Sequence, residues 1–111
     1  MAGLDPGDRL ITCTIVRGEV LFGIALLPEG RRRLELEQNG HRFLDTFRCE
    51  PIPPGAGDFY ATIKLVRQRR GLVLDENDLW VAATALALGA ALVSRDRDFA
   101  GIDDLSVVAL A

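Results

Sequence analysis

The most constraining feature of this sequence is a strand–helix–strand pattern near its C-terminal end, in Gly71–Leu110. A short extended run leads into a helix that opens near Asp78 and is almost entirely apolar. The apolar run Ala91–Ser94 then predicts a strand, and Val107–Leu110 predicts another one. A helix between short apolar strands is typical of an α/β protein with a parallel sheet.

The rest of the chain shows the same alternation less sharply. Met1–Arg9 contains Gly and Pro residues and predicts a turn. We expect two further strands and three helices, at about Leu10–Ile15, Val16–Leu27, Arg31–Phe47, Cys49–Ile52 and Asp58–Arg70. The predicted fold class is therefore α/β, with helices flanking a short, largely parallel sheet, and residues 1–111 form a single domain.

Acidic residues stand where these predicted elements begin or end. Asp78 lies at a helix start, where Asp75 or Asn77 is able to act as the N-cap, and Asp96 and Asp98 directly follow a strand. Residues that leave the carboxyl ends of parallel strands meet in one crevice, so we expect these carboxylates at one edge of the sheet. Carboxylates suit Mg²⁺ or Mn²⁺, and the pattern predicts a metal site. The alternatives stay open: a helix-start acid favoured by the macrodipole, and ordinary turn residues.

Charge is unevenly distributed along the chain. The net charge is −3, yet Arg31–Arg70 holds nine basic and five acidic residues, whereas Asp75–Asp104 holds seven acidic residues and two arginines. A basic surface beside an acidic pocket suits an enzyme that holds phosphates next to a metal. A solvated helix face is the alternative interpretation of the basic part.

Several functional classes are disfavoured by what the sequence contains. Its single histidine, His41, argues against a zinc site, and a glycine-rich phosphate loop of the GxGxxG or Walker type is absent. Cys13 and Cys49 have no metal-ligand spacing and are expected to be reduced, packed thiols. The longest apolar run, Val81–Val93, is too short for a bilayer span. Trp80 is expected in the core rather than stacked on a nucleic-acid base.

Three motifs carry a family resemblance: TCTIVRGEVLFGI with Glu19, NDLWVAATALALGA with Asp78, and LVSRDRDF with Asp96 and Asp98. Together they resemble the PIN domain, the fold of the VapC-type toxin ribonucleases, over nearly the whole chain. The resemblance implies a three-layer fold around a short parallel sheet. It also implies an endoribonuclease that hydrolyses RNA phosphodiesters with Mg²⁺ or Mn²⁺.

The resemblance also implies roles for single residues and for partners. Glu19, Asp78 and Asp96 match the family's catalytic acids and metal ligands, Asp98 is a further metal ligand, and Ser94 helps to order the pocket behind them. An RNA substrate, an antitoxin protein, a homodimer and a cytoplasmic location are expected, without a membrane. RNA phosphate is expected to contact Arg67, Arg69 and Arg70.

The chain departs from the family pattern at its N-terminal end. The family's first strand, the aspartate that ends it and the first helix have no counterpart before Leu10–Ile15, because Asp5 and Asp8 lie in the Pro/Gly turn. We expect direct pairing of Leu10–Ile15 with Ala91–Ser94, exchange of a segment with a second copy, or low stability. The alternative function is a catalytically impaired PIN-like module that acts through dimerisation or antitoxin binding.

Overall fold

Helices and short strands alternate in the computed structural model, which describes residues 10–94, 99, 101–103 and 105–109. Within these residues the order is β1 Leu10–Cys13, α1 Thr14–Ala25, α2 Arg31–Thr46, β2 Arg48–Glu50, α3 Ala56–Arg69, α4 Glu76–Leu88, β3 Ala91–Ser94 and β4 Val107–Ala109. Because helices separate most of the strands, the predicted α/β class is confirmed.

The four described strands form one sheet in the order β2-β1-β3-β4, and all neighbours run parallel. β1 lies inside the sheet, where Thr12 pairs with Cys49 of β2 and Ile11 pairs with Leu92 of β3. Direct pairing of β1 with β3 is the first of the three arrangements expected from the sequence. Since parallel strands end at the same edge, α1 leaves β1 at the edge of the sheet where β3 also ends.

α4 is the most deeply buried helix of the described chain. Residues 81–85 are all buried, and the small side chains among them allow the helix to pack closely against its neighbours. Asp75 caps the first turn by accepting a hydrogen bond from the backbone N–H of Asn77 at 3.2 Å. Gly89 ends the helix at φ 59°, in the left-handed region where a side chain would be strained. The expected buried helix is therefore confirmed.

Three helices begin about two residues earlier than the sequence predicts, and one of them is α3, which starts at Ala56 instead of Asp58. β1 ends at Cys13 and α1 starts at Thr14, although the β-branched Thr14 and Ile15 favour a strand. β propensity is weak beside the packing of neighbouring elements, and the chain turns into a helix as soon as it leaves the sheet. α4 begins at Glu76, two residues before Asp78, because Asp75 is the residue that caps it.

The second strand and the α2 core face also differ from expectation. β2 covers Arg48–Glu50 instead of Cys49–Ile52, because Pro51 has no N–H to donate to a neighbouring strand. The sequence pattern of α2 predicts that Leu34, Phe43, Leu44 and Phe47 point toward the core. Leu44 is buried as predicted, but Leu34 is 55 % exposed. Periodicity identifies the apolar stripe of a helix but not how much of its length is covered.

The sequence pattern places Ala61, Leu65 and Gln68 close to one face of α3, but the helix turns a different face to the core. Ala61 and Leu65 are exposed, whereas Ala56 and Ile63 are buried against the core. The sequence of α3 has only a weak apolar stripe, so its orientation depends on the packing of α4. Among the described helices, none is long and apolar enough to cross a membrane.

Candidate metal centre

Two helices bring acidic side chains to one place. α1 follows β1 without a loop and carries Glu19 on its second turn. α4 begins beside it, with Asp75 as the N-cap and Asp78 in the first turn. The position of each residue is thus determined by a helix start at the edge of the core and not by a long loop.

The side-chain oxygens of Glu19, Asp75 and Asp78 converge in space. One carboxylate oxygen of each residue lies within 4.8 Å of the other two. Glu19 and Asp75 are exposed, and Asp78 is half-buried. Three like charges at this spacing repel one another, and a divalent cation with hard oxygen ligands relieves that repulsion. The donor set therefore fits Mg²⁺ or Mn²⁺.

Two of the four acids predicted from the sequence to bind metal lie within the described residues. Glu19 and Asp78 lie together, while Asp96 and Asp98 fall outside the described residues, so their metal roles stay predictions. Ser94 is the last residue of β3, where its backbone pairs in register with Ala109 of β4. The predicted role of Ser94 in ordering the pocket is likewise untested.

Asp75 is the acid whose place in the cluster the sequence interpretation missed. The sequence assigned it only a capping role, and the structure shows that it caps α4 and faces Glu19 at the same time. One signal was available: Asp75 and Asp78 are three residues apart, a spacing that places two side chains on one face of a helix.

The buried Cys13 lies behind the carboxylates at the start of α1. Burial raises the pKa of the Cys13 thiol above its ordinary value of 9.0, and the charge of Glu19 raises it further, while backbone hydrogen bonds to Val16 and Ile15 oppose the rise. The thiol therefore stays protonated at neutral pH. A protonated thiol is a poor metal ligand, so the donors at this edge are the carboxylates.

A polar cluster on the other side of α4 holds its first turn against α3. The Lys64 ammonium donates to Glu76 Oε1 at 2.7 Å and to the Tyr60 hydroxyl at 3.0 Å. The Tyr60 hydroxyl in turn donates to Glu76 Oε2. The hydrogen bond from Lys64, followed by that from Tyr60, lowers the pKa of Glu76, and the same contact with Glu76 raises the pKa of Lys64. The Lys64 charge is thus directed at Glu76.

The Tyr60 ring also fixes the place of Trp80. The two rings stack with centroids 4.1 Å apart and planes 9° from parallel. Trp80 is half-buried, so the expected core position is confirmed only in part. Together, the ring stack and the Lys64–Glu76 ion pair tie the turn that carries Asp75 and Asp78 to α3.

The three arginines near the end of α3 differ in their surroundings. Arg69 is exposed. Arg67 is half-buried, and its Nε atom is buried without a hydrogen-bond partner in the described part of the chain. Arg70 is exposed and lies 4.0 Å from Asp103. The structure therefore offers three different environments where the sequence predicted one phosphate-binding group.

Comparison with known proteins identifies the family. The PIN domain family model matches residues 2–105. Ribonuclease VapC4 of Mycobacterium tuberculosis (strain ATCC 25618 / H37Rv) is 33 % identical over 114 residues, which cover 98 % of this chain and 80 % of that protein. Plasmid stability protein StbB of Pseudomonas syringae pv. tomato is 30 % identical over 92 residues, which cover 80 % of this chain and 66 % of that protein.

Solved structures show the same fold. VapBC-5 of Mycobacterium tuberculosis matches with a TM-score of 0.76 at 21 % identity, covering 99 % of this chain and 91 % of that one. VapBC2 of Rickettsia felis, bound to a promoter DNA fragment, matches with a TM-score of 0.74 at 20 % identity, covering 95 % and 77 %. The chain belongs to the PIN-domain family, and a relative that it matches over most of both lengths is a VapC ribonuclease.

Proposed function

We propose that this chain is a VapC-like endoribonuclease that hydrolyses RNA phosphodiesters with a divalent metal, as the toxin of a toxin–antitoxin pair. The observation that carries the proposal is the convergence of Glu19, Asp75 and Asp78 within 4.8 Å in a PIN-domain chain. Glu19, Asp75 and Asp78 would hold the metal, together with Asp96 and Asp98, which follow β3 in the sequence.

The metal is Mg²⁺ or Mn²⁺, because all the proposed ligands are carboxylates. When bound, such an ion supplies an activated water and stabilises the charge that builds up on the phosphate. The protein's own part is to hold the ligands in place. The Tyr60–Lys64–Glu76 cluster fixes the first turn of α4, the turn that carries Asp78.

RNA phosphate contacts the basic end of α3, chiefly through Arg69. Arg69 is exposed, whereas Arg67 and Arg70 lie against a pocket that is described below. Each arginine that binds a phosphate releases counterions, so Arg69→Ala should weaken RNA binding and reduce its salt dependence. An unchanged salt slope would show that Arg69 does not contact RNA.

The chain pairs with an antitoxin protein and forms a homodimer, and it acts in the cytoplasm. The solved relatives of the same fold are complexes of VapBC type. In addition, α1 exposes Phe22 (65 %) and Leu26 (69 %), and a large apolar side chain exposed beside another commonly marks a protein interface. The unaltered chain should have the molar mass of a homodimer in light scattering, and the Phe22→Glu variant should have that of a monomer.

The central test is a matched pair of variants, Asp78→Asn and Asp58→Asn. Both aspartates lie in the first turn of a helix, at the third helical position, so each change removes the same interaction with a helix dipole. Only Asp78 lies in the carboxylate cluster. We expect Asp78→Asn to lower Mn²⁺-dependent RNA cleavage by about a hundredfold or more and Asp58→Asn to leave it nearly unchanged.

Circular dichroism of both variants shows whether the fold is retained. Normal cleavage by a folded Asp78→Asn variant would contradict the metal-site proposal. If the unaltered chain itself binds Mn²⁺ but does not cleave RNA, the alternative of an impaired module that acts through its protein partners is favoured.

A further inference from the structure

A pocket of about 240 Å³ opens on the side of α3 away from the Tyr60–Lys64 cluster. α3 contributes Phe59, Ile63 and Val66, which lie on one face at helical spacing. Leu72, Leu86 and Ile102 close the other walls, from the turn after α3, from α4 and from the segment around residue 102. Most of the pocket wall is thus apolar.

Two guanidinium groups interrupt this apolar wall. Arg67 lines the pocket, and its Nε is buried without a hydrogen-bond partner in the described part of the chain. The Arg67 side chain lies close to Gly101, because a Cβ added to that glycine would be 3.6 Å from Arg67 Nη1. Arg70 stands at the rim, where its Nη2 lies 4.0 Å from Asp103 Oδ2. The two guanidinium groups give the apolar pocket a local positive charge, which favours a ligand that carries a carboxylate.

We propose that this pocket binds a segment of a partner protein in which an apolar side chain stands next to Asp or Glu. The apolar side chain fills the space between Phe59, Val66 and Leu86, and the carboxylate accepts hydrogen bonds from Arg67 and Arg70. Guanidinium–carboxylate pairs at the edge of an apolar pocket are strong because they are charge-assisted and partly desolvated.

The apolar surface does not stop at the pocket. Leu72 at its rim is 45 % exposed, and the adjacent Val73 is 92 % exposed. This continuation suits a polypeptide that runs beyond the pocket, because a small molecule confined to 240 Å³ would leave Leu72 and Val73 uncovered.

RNA fits this pocket less well than an acidic peptide does. An RNA backbone presents phosphates to an open basic surface, and here one of the two guanidinium groups is recessed among apolar side chains. Asp103 also places a negative charge at the rim, which repels a polyanion more strongly than a single carboxylate.

The first experiment uses an array of short peptides made of Gly and Ser, except at two adjacent central positions. These two positions are varied through every combination of amino acids. We expect the labelled protein to bind best where Leu, Ile, Met or Phe stands beside Asp or Glu. Fluorescence anisotropy of the best peptide then gives its Kd. Replacing its Asp by Asn, or its Glu by Gln, should raise the Kd by about tenfold or more, because the charge-assisted hydrogen bonds are lost.

Variants of the protein assign the effect to the pocket. Arg70→Gln should weaken peptide binding by a similar factor, whereas Asp103→Asn should strengthen it, since Asp103 competes for Arg70 and repels the incoming carboxylate. Leu72→Ala, at the exposed rim, should weaken binding through lost apolar contact and leave the fold intact. Arg32→Gln on exposed α2 changes the net charge equally and serves as the control.

Several results would overturn the proposal. The proposal is wrong if peptides with an apolar residue beside an acidic one are not enriched on the array. It is also wrong if Arg32→Gln and Arg70→Gln weaken peptide binding equally, because that result indicates a general effect of charge. If single-stranded RNA displaces the peptide and itself depends on Arg70 and Leu72, the pocket belongs to the RNA-binding surface instead.

Discussion

Replacing Glu19 by Gln tests the carboxylate cluster in metal-free protein first. Glu19→Gln removes two like-charge contacts, to Asp75 and Asp78, with oxygen atoms within 4.8 Å. In water each such pair of unit charges repels by about 1 kcal/mol, and solvent exposure together with salt lowers the sum of the two pairs to about 1 kcal/mol. Gln resembles Glu in shape and helix propensity. In EDTA at low salt, the variant should therefore be more stable than the unaltered chain by about 1 kcal/mol, or about 4–8 °C in Tm.

Added Mn²⁺ should reverse this order of stability. The unaltered chain gains about 2.7 kcal/mol when free Mn²⁺ exceeds its Kd a hundredfold, because the metal binds only the folded state. The Glu19→Gln variant has one ligand fewer and should gain much less. The assay is thermal unfolding followed by circular dichroism, starting in EDTA and continuing through a MnCl₂ titration.

Glu29→Gln is the matched control for this experiment. Glu29 is exposed in the loop between α1 and α2, so the substitution changes the net charge equally but lies outside the cluster. It should alter neither the Tm in EDTA nor the response to Mn²⁺. If Glu19→Gln is less stable than the unaltered chain in EDTA, the repulsion argument is wrong, and if it keeps the full Mn²⁺ response, Glu19 is not a ligand.

Three further predictions follow from single contacts. Glu76→Gln should lower the Tm at neutral pH, because it removes the ion pair with Lys64. The pair lowers the pKa of Glu76 from 4.5 and raises that of Lys64 from 10.5, so the difference in Tm should disappear as the pH falls through the lowered pKa of Glu76 or rises through the raised pKa of Lys64. A pH series of melting curves measures this difference. Gly89→Ala should cost about 1 kcal/mol in urea unfolding, because φ is 59° there and the added Cβ meets no neighbour within 4 Å. Iodoacetamide should label the exposed Cys49 and spare the buried Cys13 until the protein is unfolded, which mass spectrometry detects.

The sequence by itself was sufficient for the fold class and the family. An almost entirely apolar helix followed by a short apolar strand is a local pattern, and α4 and β3 form almost where that pattern predicts them. The PIN-domain resemblance rests on the same segment and is confirmed by the family match. The nearness of Glu19 to Asp78 was also expected, because both lie on helices that meet at one edge of a parallel sheet. Their catalytic roles stay predictions.

Only the tertiary structure showed which other side chains lie at the carboxylate cluster and at the apolar pocket. Asp75 has a sufficient local role as an N-cap, and although its three-residue spacing from Asp78 places both on one side of α4, that spacing does not show that Glu19 of α1 lies opposite them. Nothing in the sequence separates Arg67, Arg69 and Arg70. The packing of α3 against α4 and against the segment around Gly101 leaves Arg69 away from the apolar pocket and places Arg67 and Arg70 at it. Helical periodicity gives the direction in which each side chain points around the axis of its helix. The rotation of that axis against its neighbours depends on contacts between residues far apart in the chain, and the fold alone supplies these contacts.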